Sequence, residues 1–232
     1  MKSSFVFFLG LLLCFPASTT GQNIKELFVA FPGKIFGTLP SSSSKQSFLN
    51  TTAVGQRGEL QDVDPNEGTD QYTLAILDLA GGFIRLDALD FYVDMCYWRK
   101  SDGHRLVAIC ETTTVGYVES EIEFYDYFEG NWKRLHTDSI MIRPAYQDVL
   151  DIRASLAANG GAAIPLDRLS YATEIQLPQK GKDIQVQFEL VDFADESGRE
   201  LSYQLVYKVK KPTPTFYSQL VYFWNDGIFL KE

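Results

Sequence analysis

The chain has 232 residues, of which 45% are hydrophobic, 14% aromatic and 22% charged, so it can bury a sizeable core. This composition excludes a disordered, collagen-like or coiled-coil protein. The formal net charge of −9 argues against a nucleic-acid partner, because phosphate recognition needs clustered lysines and arginines. Three cysteines and two histidines leave few ligands for a structural metal site. We expect no cofactor, apart from a calcium ion at the weak motif described below.

Residues 1–21 predict a signal peptide. Lys2 supplies the positive charge, and the apolar run at 5–13 is too short to span a bilayer. Small residues up to Gly21 suit a cleavage site. A retained anchor helix and a lipoprotein acylated on Cys14 are the alternatives to a cleaved form. We expect an exported protein, periplasmic or extracellular, with no membrane span.

Residues 22–140 predict a unit made of one helix and an antiparallel meander. Apolar residues at helical spacing predict the helix over 23–39, interrupted at Pro32-Gly33. The polar stretch 41–71 reads as a loosely structured connection. Short strands separated by turn residues follow, predicted at 72–79, 83–89, 92–98, 106–113, 121–128 and 132–136.

Residues 141–232 predict a second unit of the same kind. A helix is delimited by Pro144 and by a glycine pair after Asn159, and it is followed by strands predicted at 171–177, 184–193, 201–209, 216–224 and 228–230. Similar segments recur about 95 residues apart, which favours a duplication over the chance recurrence of meander patterns. The predicted fold is α+β, with two tandem units that each pack a helix on an antiparallel β-meander.

Two cysteines remain beyond the signal peptide, Cys96 and Cys110, and they flank a predicted turn at 101–103. Direct or diagonal pairing across this hairpin would place both sulfurs on one face of the sheet, and a one-residue slip would place them on opposite faces. A disulfide and two buried free thiols are both compatible with this spacing.

An acidic segment at 62–70 partly matches a calcium-binding loop. Oxygen-bearing side chains at alternate positions can wrap Ca²⁺. Gly68 stands one place too late for the sharp turn, so a solvated acidic turn is the favoured interpretation. The ligands that this motif would supply are Asp62, Asp64, Asn66 and Asp70.

Aromatic residues cluster on the predicted strands. In the strand at 121–128, Tyr125 and Tyr127 share the less hydrophobic face. Exposed tyrosines and tryptophans are favoured binding residues, because they bury a large area at low entropic cost. Cross-strand pairing that stabilises the sheet is the alternative role. The predicted binding residues are Tyr125, Tyr127, Trp132, Tyr222 and Trp224.

Three short segments carry a resemblance to a known group. They are Asn23 to Pro32, Tyr97-Trp98 with the following Asp102-Gly103 turn, and Phe124-Tyr125 with Trp132. In these segments the chain resembles a family of uncharacterised exported proteins of Bacteroidetes bacteria, a domain of unknown function. The resemblance implies export and an α+β fold, and it supplies no catalytic residue.

The sequence favours a non-enzymatic, exported protein that contacts a protein or envelope component through exposed aromatic strand faces. A small secreted hydrolase is the first alternative, with acid–base chemistry assigned to carboxylates among Asp87, Asp90 and Asp94. Asp90 and Asp94 share strand parity, so they are expected to face one surface. A calcium-stabilised adhesion module is the second alternative.

Overall fold

The computed structural model describes residues 23–35, 37–62, 69–115, 118–142, 171–190 and 219–231. Two antiparallel sheets and a few short helices give an α+β fold that is mostly β-structure. The predicted signal peptide, the helix after Pro144 and the strand at 201–209 lie outside the described residues. Among the helices of the described ranges, none has the length and apolar character that crossing a bilayer requires.

The predicted N-terminal helix is confirmed as α1 (Ile24–Ala30). The Asn23 side chain caps it by accepting a hydrogen bond from the Glu26 amide at 3.1 Å. The chain becomes extended at Phe31, the residue before Pro32, as proline requires of its predecessor. The expected second helical turn is instead a tight turn, in which Ile35 and Thr38 exchange backbone hydrogen bonds.

The stretch 41–71 is more ordered than its polar composition predicts. It holds α2 (Ser42–Thr51) and the first strand, β1 (Arg57–Gln61). Ser41 caps α2 by accepting from the Ser44 amide at 3.1 Å. The helix buries Lys45, Phe48 and Leu49, a narrow stripe at helical spacing that the flanking serines obscure in the sequence.

The meander predicted after Tyr72 is confirmed as part of a seven-stranded antiparallel sheet whose strand order follows chain order. After β1 the strands are β2 (Thr69–Asp78), β3 (Phe83–Asp87), β4 (Phe91–Arg99), β5 (Arg105–Thr113), β6 (Glu119–Phe128) and β7 (Asn131–Leu135). Glu129 and Gly130, both with positive φ, form the two-residue turn that joins β6 to β7. A short helix, α3 (Thr137–Ile140), follows.

A second, four-stranded antiparallel sheet has the order β11-β10-β9-β8. Its strands are β8 (Tyr171–Gln176), β9 (Ile184–Leu190), β10 (Gln219–Asn225) and β11 (Ile228–Lys231). Asp226 and Gly227, again with positive φ, form the two-residue turn between β10 and β11.

The seven-stranded sheet is covered on both faces. On one face α1 and α2 pack over residues such as Val93 and Met95 of β4. On the other face the four-stranded sheet packs over Cys96 and Trp98 of the same strand. The sequence-based hypothesis of an aromatic strand face open to partners is therefore wrong for the central part of this sheet, because a second sheet takes that place.

Candidate functional site

The tyrosines predicted to be exposed on β6 are buried. Tyr125 is 9% exposed and Tyr127 is 2% exposed. Both face the helices, and Trp132 packs against both tyrosines and against Phe31, with ring centroids 5.4 Å apart for Trp132 and Phe31. The prediction of exposure is wrong because the less hydrophobic face of β6 is still a core face. A binding role for these residues stays a prediction.

The aromatic residues predicted on β10 also face inward. Tyr222 is fully buried and its hydroxyl donates to the Ile142 carbonyl at 2.8 Å. Trp224 stacks on Trp98 with ring centroids 5.6 Å apart. Their neighbour Phe223, of the opposite strand parity, is the exposed aromatic residue, at 38%.

Cys96 and Cys110 are free, buried thiols, so the disulfide hypothesis is wrong. Cys96 lies opposite Ala108 and Cys110 opposite Asp94, which makes the cysteines diagonal neighbours on one face. The Cys110 sulfur lies 3.6 Å from the Ile175 carbonyl oxygen of the second sheet. Burial, reinforced by the Asp94 carboxylate, raises the pKa of Cys110 to about 12 and makes this thiol inert.

Asp62 and Asp70, the two ends of the acidic segment, hold the turn between α1 and α2. Asp62 accepts a hydrogen bond from the Leu39 amide at 2.7 Å, and Asp70 accepts one from the Thr38 hydroxyl at 2.5 Å. Asp64 and Asn66 of the predicted calcium motif lie outside the described residues. Within the described ranges, no group of three or more His, Cys, Asp or Glu side chains could hold a metal ion.

The carboxylates of the hydrolase hypothesis do not share a surface. Asp90 is exposed in the turn before β4, whereas Asp94 is fully buried inside the sheet. Both Asp94 oxygens accept hydrogen bonds from Arg85, at 2.6 Å each. Burial raises the pKa of Asp94 and the Arg85 guanidinium opposes this rise. Burial likewise raises the pKa of Asp87, on β3.

Tyr92 connects the Arg85–Asp94 ion pair to the second sheet. The Arg85 guanidinium lies over the Tyr92 ring, 4.1 Å from its centroid, and the Tyr92 hydroxyl donates a hydrogen bond to Glu174 of β8 at 3.0 Å. Both oxygens of Asp94 are occupied by one arginine, so this carboxylate is poorly placed for proton transfer to a substrate. The arrangement suits the joining of the two sheets through Tyr92 and Glu174.

Two turns meet where the sheets join, which the sequence does not indicate. The amide of Ser101, in the β4–β5 turn, donates to Asp226 of the β10–β11 turn at 2.8 Å, and the Ser101 hydroxyl donates to the same carboxylate. His104 Nδ1 lies 2.6 Å from an Asp126 oxygen, and its ring stacks on Phe128 at 4.4 Å between centroids. The Ser101–Asp226 contact fastens one sheet to the other, whereas the His104 contacts lie within the seven-stranded sheet.

A cleft of about 330 Å³ opens on the helix-facing side of β5, β6 and β7. The turn after α1 forms one wall and the three strands form the floor. Its lining is mostly charged, and it consists of Lys34, Gly37, Ile109, Glu111, Glu121, Glu123, Tyr125 and Arg134. A volume at the low end of the range for ligand pockets leaves room for one small group.

Glu123 is held in place at the centre of the cleft floor. One of its oxygens accepts from the Tyr125 hydroxyl at 2.5 Å, and the other pairs with Arg134 of β7. Burial, followed by the hydrogen bond to Glu123, raises the pKa of Tyr125, so this hydroxyl remains a donor. Tyr125 is thus the one predicted aromatic residue that lines the cleft.

Two further carboxylates face each other across the ladder. Glu111 of β5 lies directly opposite Glu121 of β6, on the same face as Glu123. Like charges in this position destabilise a sheet. The alternation Glu121, Glu123, Tyr125 is visible in the sequence, but the position of Glu111 depends on strand register.

The comparisons with known proteins agree with this fold. No curated protein matches the chain. The chain is similar to the structure of a domain of an uncharacterized protein from Porphyromonas gingivalis W83, with a TM-score of 0.58 and 18% identity over 90% of this chain and 97% of that chain. This likeness shows the fold alone. A family model described as a protein of unknown function, DUF3256, matches residues 17–229. The chain therefore belongs to the DUF3256 family, and its resemblance to an uncharacterised Bacteroidetes family is confirmed.

Proposed function

We propose that the protein is an exported, non-enzymatic binding protein that contacts a protein or another component of the cell envelope through the cleft over β5, β6 and β7. The cleft is the observation that carries this proposal, because it is a concave site with fixed charged groups. Arg134 and Tyr125 orient Glu123 from two sides, so recognition would need little rearrangement of that carboxylate.

The two alternatives draw less support from the structure. Acid–base chemistry needs a carboxylate that can meet a substrate, whereas both oxygens of Asp94 bind Arg85. Calcium binding uses several carboxylate oxygens at once, whereas Oδ2 of Asp62 and Oδ2 of Asp70 each accept a hydrogen bond from the turn at 38–39.

Site-specific photo-cross-linking in the source organism tests the proposed function. A photoreactive amino acid replaces Lys34, an exposed residue of the cleft wall, or Arg57, an exposed residue of β1 outside the cleft. We expect a cross-linked product of discrete mass from position 34 and none from position 57. The same product from both positions, or no product from position 34, would contradict the proposal.

Export is tested on the same cells. Fractionation should place the chain outside the cytoplasm, and mass spectrometry of its N-terminal peptide should find Gln22 as the first residue. A chain that keeps Lys2 and stays in the cytoplasmic fraction would show that the prediction of a signal peptide is wrong.

We also propose that the two sheets belong to tandem units, each completed by a helix. The turns Glu129-Gly130 and Asp226-Gly227 support this, because they have the same positive-φ conformation at equivalent places of the two meanders. Phe223 and Leu230 are cross-strand neighbours and are exposed on the outer face of the second sheet. The helix predicted after Pro144 carries an apolar stripe that includes Ile152 and would cover them.

A double-mutant cycle tests this packing. If the predicted helix lies on the outer face, Ile152→Ala and Phe223→Ala should show a coupling energy of about 0.5 kcal/mol or more in urea unfolding. The control cycle combines Ile152→Ala with Leu89→Ala, at a position that is 84% exposed in the β3–β4 turn. The effects of these two substitutions on the unfolding free energy should be additive. Additivity of both pairs would contradict the packing.

A further inference from the structure

The outer strands of the two sheets differ in how their free edges are covered. In β1, β8 and β11 a backbone group of the strand bonds to another element. The contacts are the Gln61 amide of β1 with the Ser44 hydroxyl, the Ile175 amide of β8 with the Ser120 hydroxyl, and a bridge between Phe229 of β11 and Met141. Within the described ranges, the outer edge of β7 makes no such contact. An open edge of this kind can pair with a further strand.

The register of β7 shows which backbone groups its outer edge offers. The two-residue turn before β7 makes its first residue, Asn131, a hydrogen-bonded partner of β6. Hydrogen-bonded and non-hydrogen-bonded pairs alternate along an antiparallel ladder, so Lys133 also bonds to β6. The N–H and C=O groups of Trp132 and Arg134 therefore point away from β6. The Trp132 indole Nε1 is a further buried donor that has no acceptor in the part of the chain that the structure describes.

The middle of this edge is positively charged. The Lys133 side chain is exposed, and its cross-strand neighbour on β6 is Asp126. The Asp126 oxygens are already engaged by His104 at 2.6 Å and by Lys100 at 3.3 Å. The Lys133 ammonium therefore has no carboxylate partner among the described residues, in a chain whose formal net charge is −9.

We infer that the outer edge of β7 pairs with an extended acidic segment of another protein, which adds a strand to the larger sheet. This interaction goes beyond the cleft, because the backbone of β7 makes the contact. The main chain of an antiparallel added strand would bond to the outward groups of Trp132 and Arg134. A carboxylate of that strand would then stand opposite Lys133 in a non-hydrogen-bonded pair, where side chains come closest.

A second copy of the chain fits this edge less well. Antiparallel pairing of two β7 strands about their centres would place the two Lys133 side chains directly opposite each other, and like charges in this position destabilise a sheet. An edge lysine is a common protection against self-association. The same lysine favours a carboxylate of a different chain, so the edge discriminates between a partner and a second copy.

Amide hydrogen exchange, measured by NMR on the folded chain, tests the inference. The probe is the peptide acetyl-Ser-Thr-Val-Glu-Val-Thr-Ser-amide. We expect the Trp132 and Arg134 amides to exchange fast in the free protein and about tenfold more slowly with the peptide at saturation. The Lys133 amide should be protected throughout, because it bonds to β6. The same peptide N-methylated at both valines lacks the donors of the added strand and should give no protection.

Charge reversal provides a second measurement. A peptide with lysine in place of glutamate should bind the wild type about tenfold more weakly than the glutamate form. Lys133→Glu should reverse this preference. Lys180→Glu, the same change at an exposed position of the β8–β9 turn, is the control and should leave the preference as in the wild type.

Four results would overturn the inference. Trp132 and Arg134 amides that are protected in the free chain would show that a segment of this protein covers the edge. Protection that rises with protein concentration alone would assign the edge to a second copy. The other two are peptide binding that leaves both amides unprotected and a peptide preference that Lys133→Glu does not change.

Discussion

Lys45 is a charged side chain placed in an apolar core. It is 1% exposed, and its ammonium donates to the carbonyl oxygen of Phe31, just after the end of α1. Backbone carbonyls at the end of a helix attract a positive charge, which helps to hold α2 against α1. Burial nevertheless lowers the pKa of Lys45 to about 8, because the charged form loses its hydration.

The buried Lys45 predicts a pH dependence of stability. Its pKa is lower in the folded chain than in the unfolded one, so the unfolded state binds more protons between pH 8 and 10.5 and stability rises with pH there. We expect the wild type to gain about 2 kcal/mol of unfolding free energy between pH 7 and 9.5 relative to Lys45→Met. Urea unfolding at several pH values measures the gain, and curves that run parallel for the two proteins would refute it.

At the scale of elements, the β4–β5 and β10–β11 turns hold the two sheets together at one end. Asp226 accepts two hydrogen bonds from Ser101, while Lys100 lies 3.3 Å from Asp126 and 3.2 Å from Asp102. The hydrogen bonds from the Ser101 side chain and amide lower the pKa of Asp226. Its stabilising contribution is therefore present above the ordinary value of 3.8 and is lost as the pH falls through the lowered pKa.

Removal of this contact should loosen one hairpin selectively. Asp226→Ala is expected to accelerate amide hydrogen exchange in β10 and β11 and to leave the amides of β5 protected, because β5 lies in the middle of the larger sheet. Ser101→Ala removes one of the two hydrogen bonds and should give an intermediate effect. Exchange rates in β10 and β11 that match those of the wild type would contradict this role of the turns.

At the scale of the whole molecule, the seven-stranded sheet is shared by two cores. The core toward the helices and the core between the sheets are separated by the backbone of the same strands. Trp98 belongs to the second core, where it contacts Trp224 and Phe229 and donates from Nε1 to the Lys182 carbonyl at 2.7 Å. Because both cores include side chains of this sheet, unfolding of one core removes packing that holds the strands of the other in place.

This shared sheet predicts cooperative unfolding. Trp98→Ala should lower the unfolding free energy by about 3–5 kcal/mol, because it leaves a cavity and an unpaired carbonyl between the sheets. In the wild type, circular dichroism and tryptophan fluorescence should report one coincident transition. Phe128→Ala, at a half-exposed position, is the control and should cost much less. Two separate transitions in the wild type would show that the sheets unfold independently.

Much of the meander could be predicted from the sequence, and the stacking of the sheets could not. The strands β4 and β5 each carry an unbroken apolar run, at Met95–Trp98 and Leu106–Cys110, and in β4 Val93 and Met95 face the helices while Cys96 faces the second sheet. Such runs indicate strands buried on both faces. The helix α2 escaped prediction because its apolar stripe is narrow, and the cleft because Glu111 and Glu121 meet through a register that a single strand does not encode.

The agreement between strand order and chain order in the larger sheet has a consequence for folding. Every strand from β1 to β7 pairs with its neighbour in the chain, so each pairing closes a short loop at low entropic cost. The apolar face of the second sheet packs against the first sheet. The second sheet can therefore bury that face once the first sheet has formed. We expect pulse-labelled amides of β4, β5 and β6 to be protected before those of β9 and β10. The larger sheet would then act as the template on which the rest of the chain assembles.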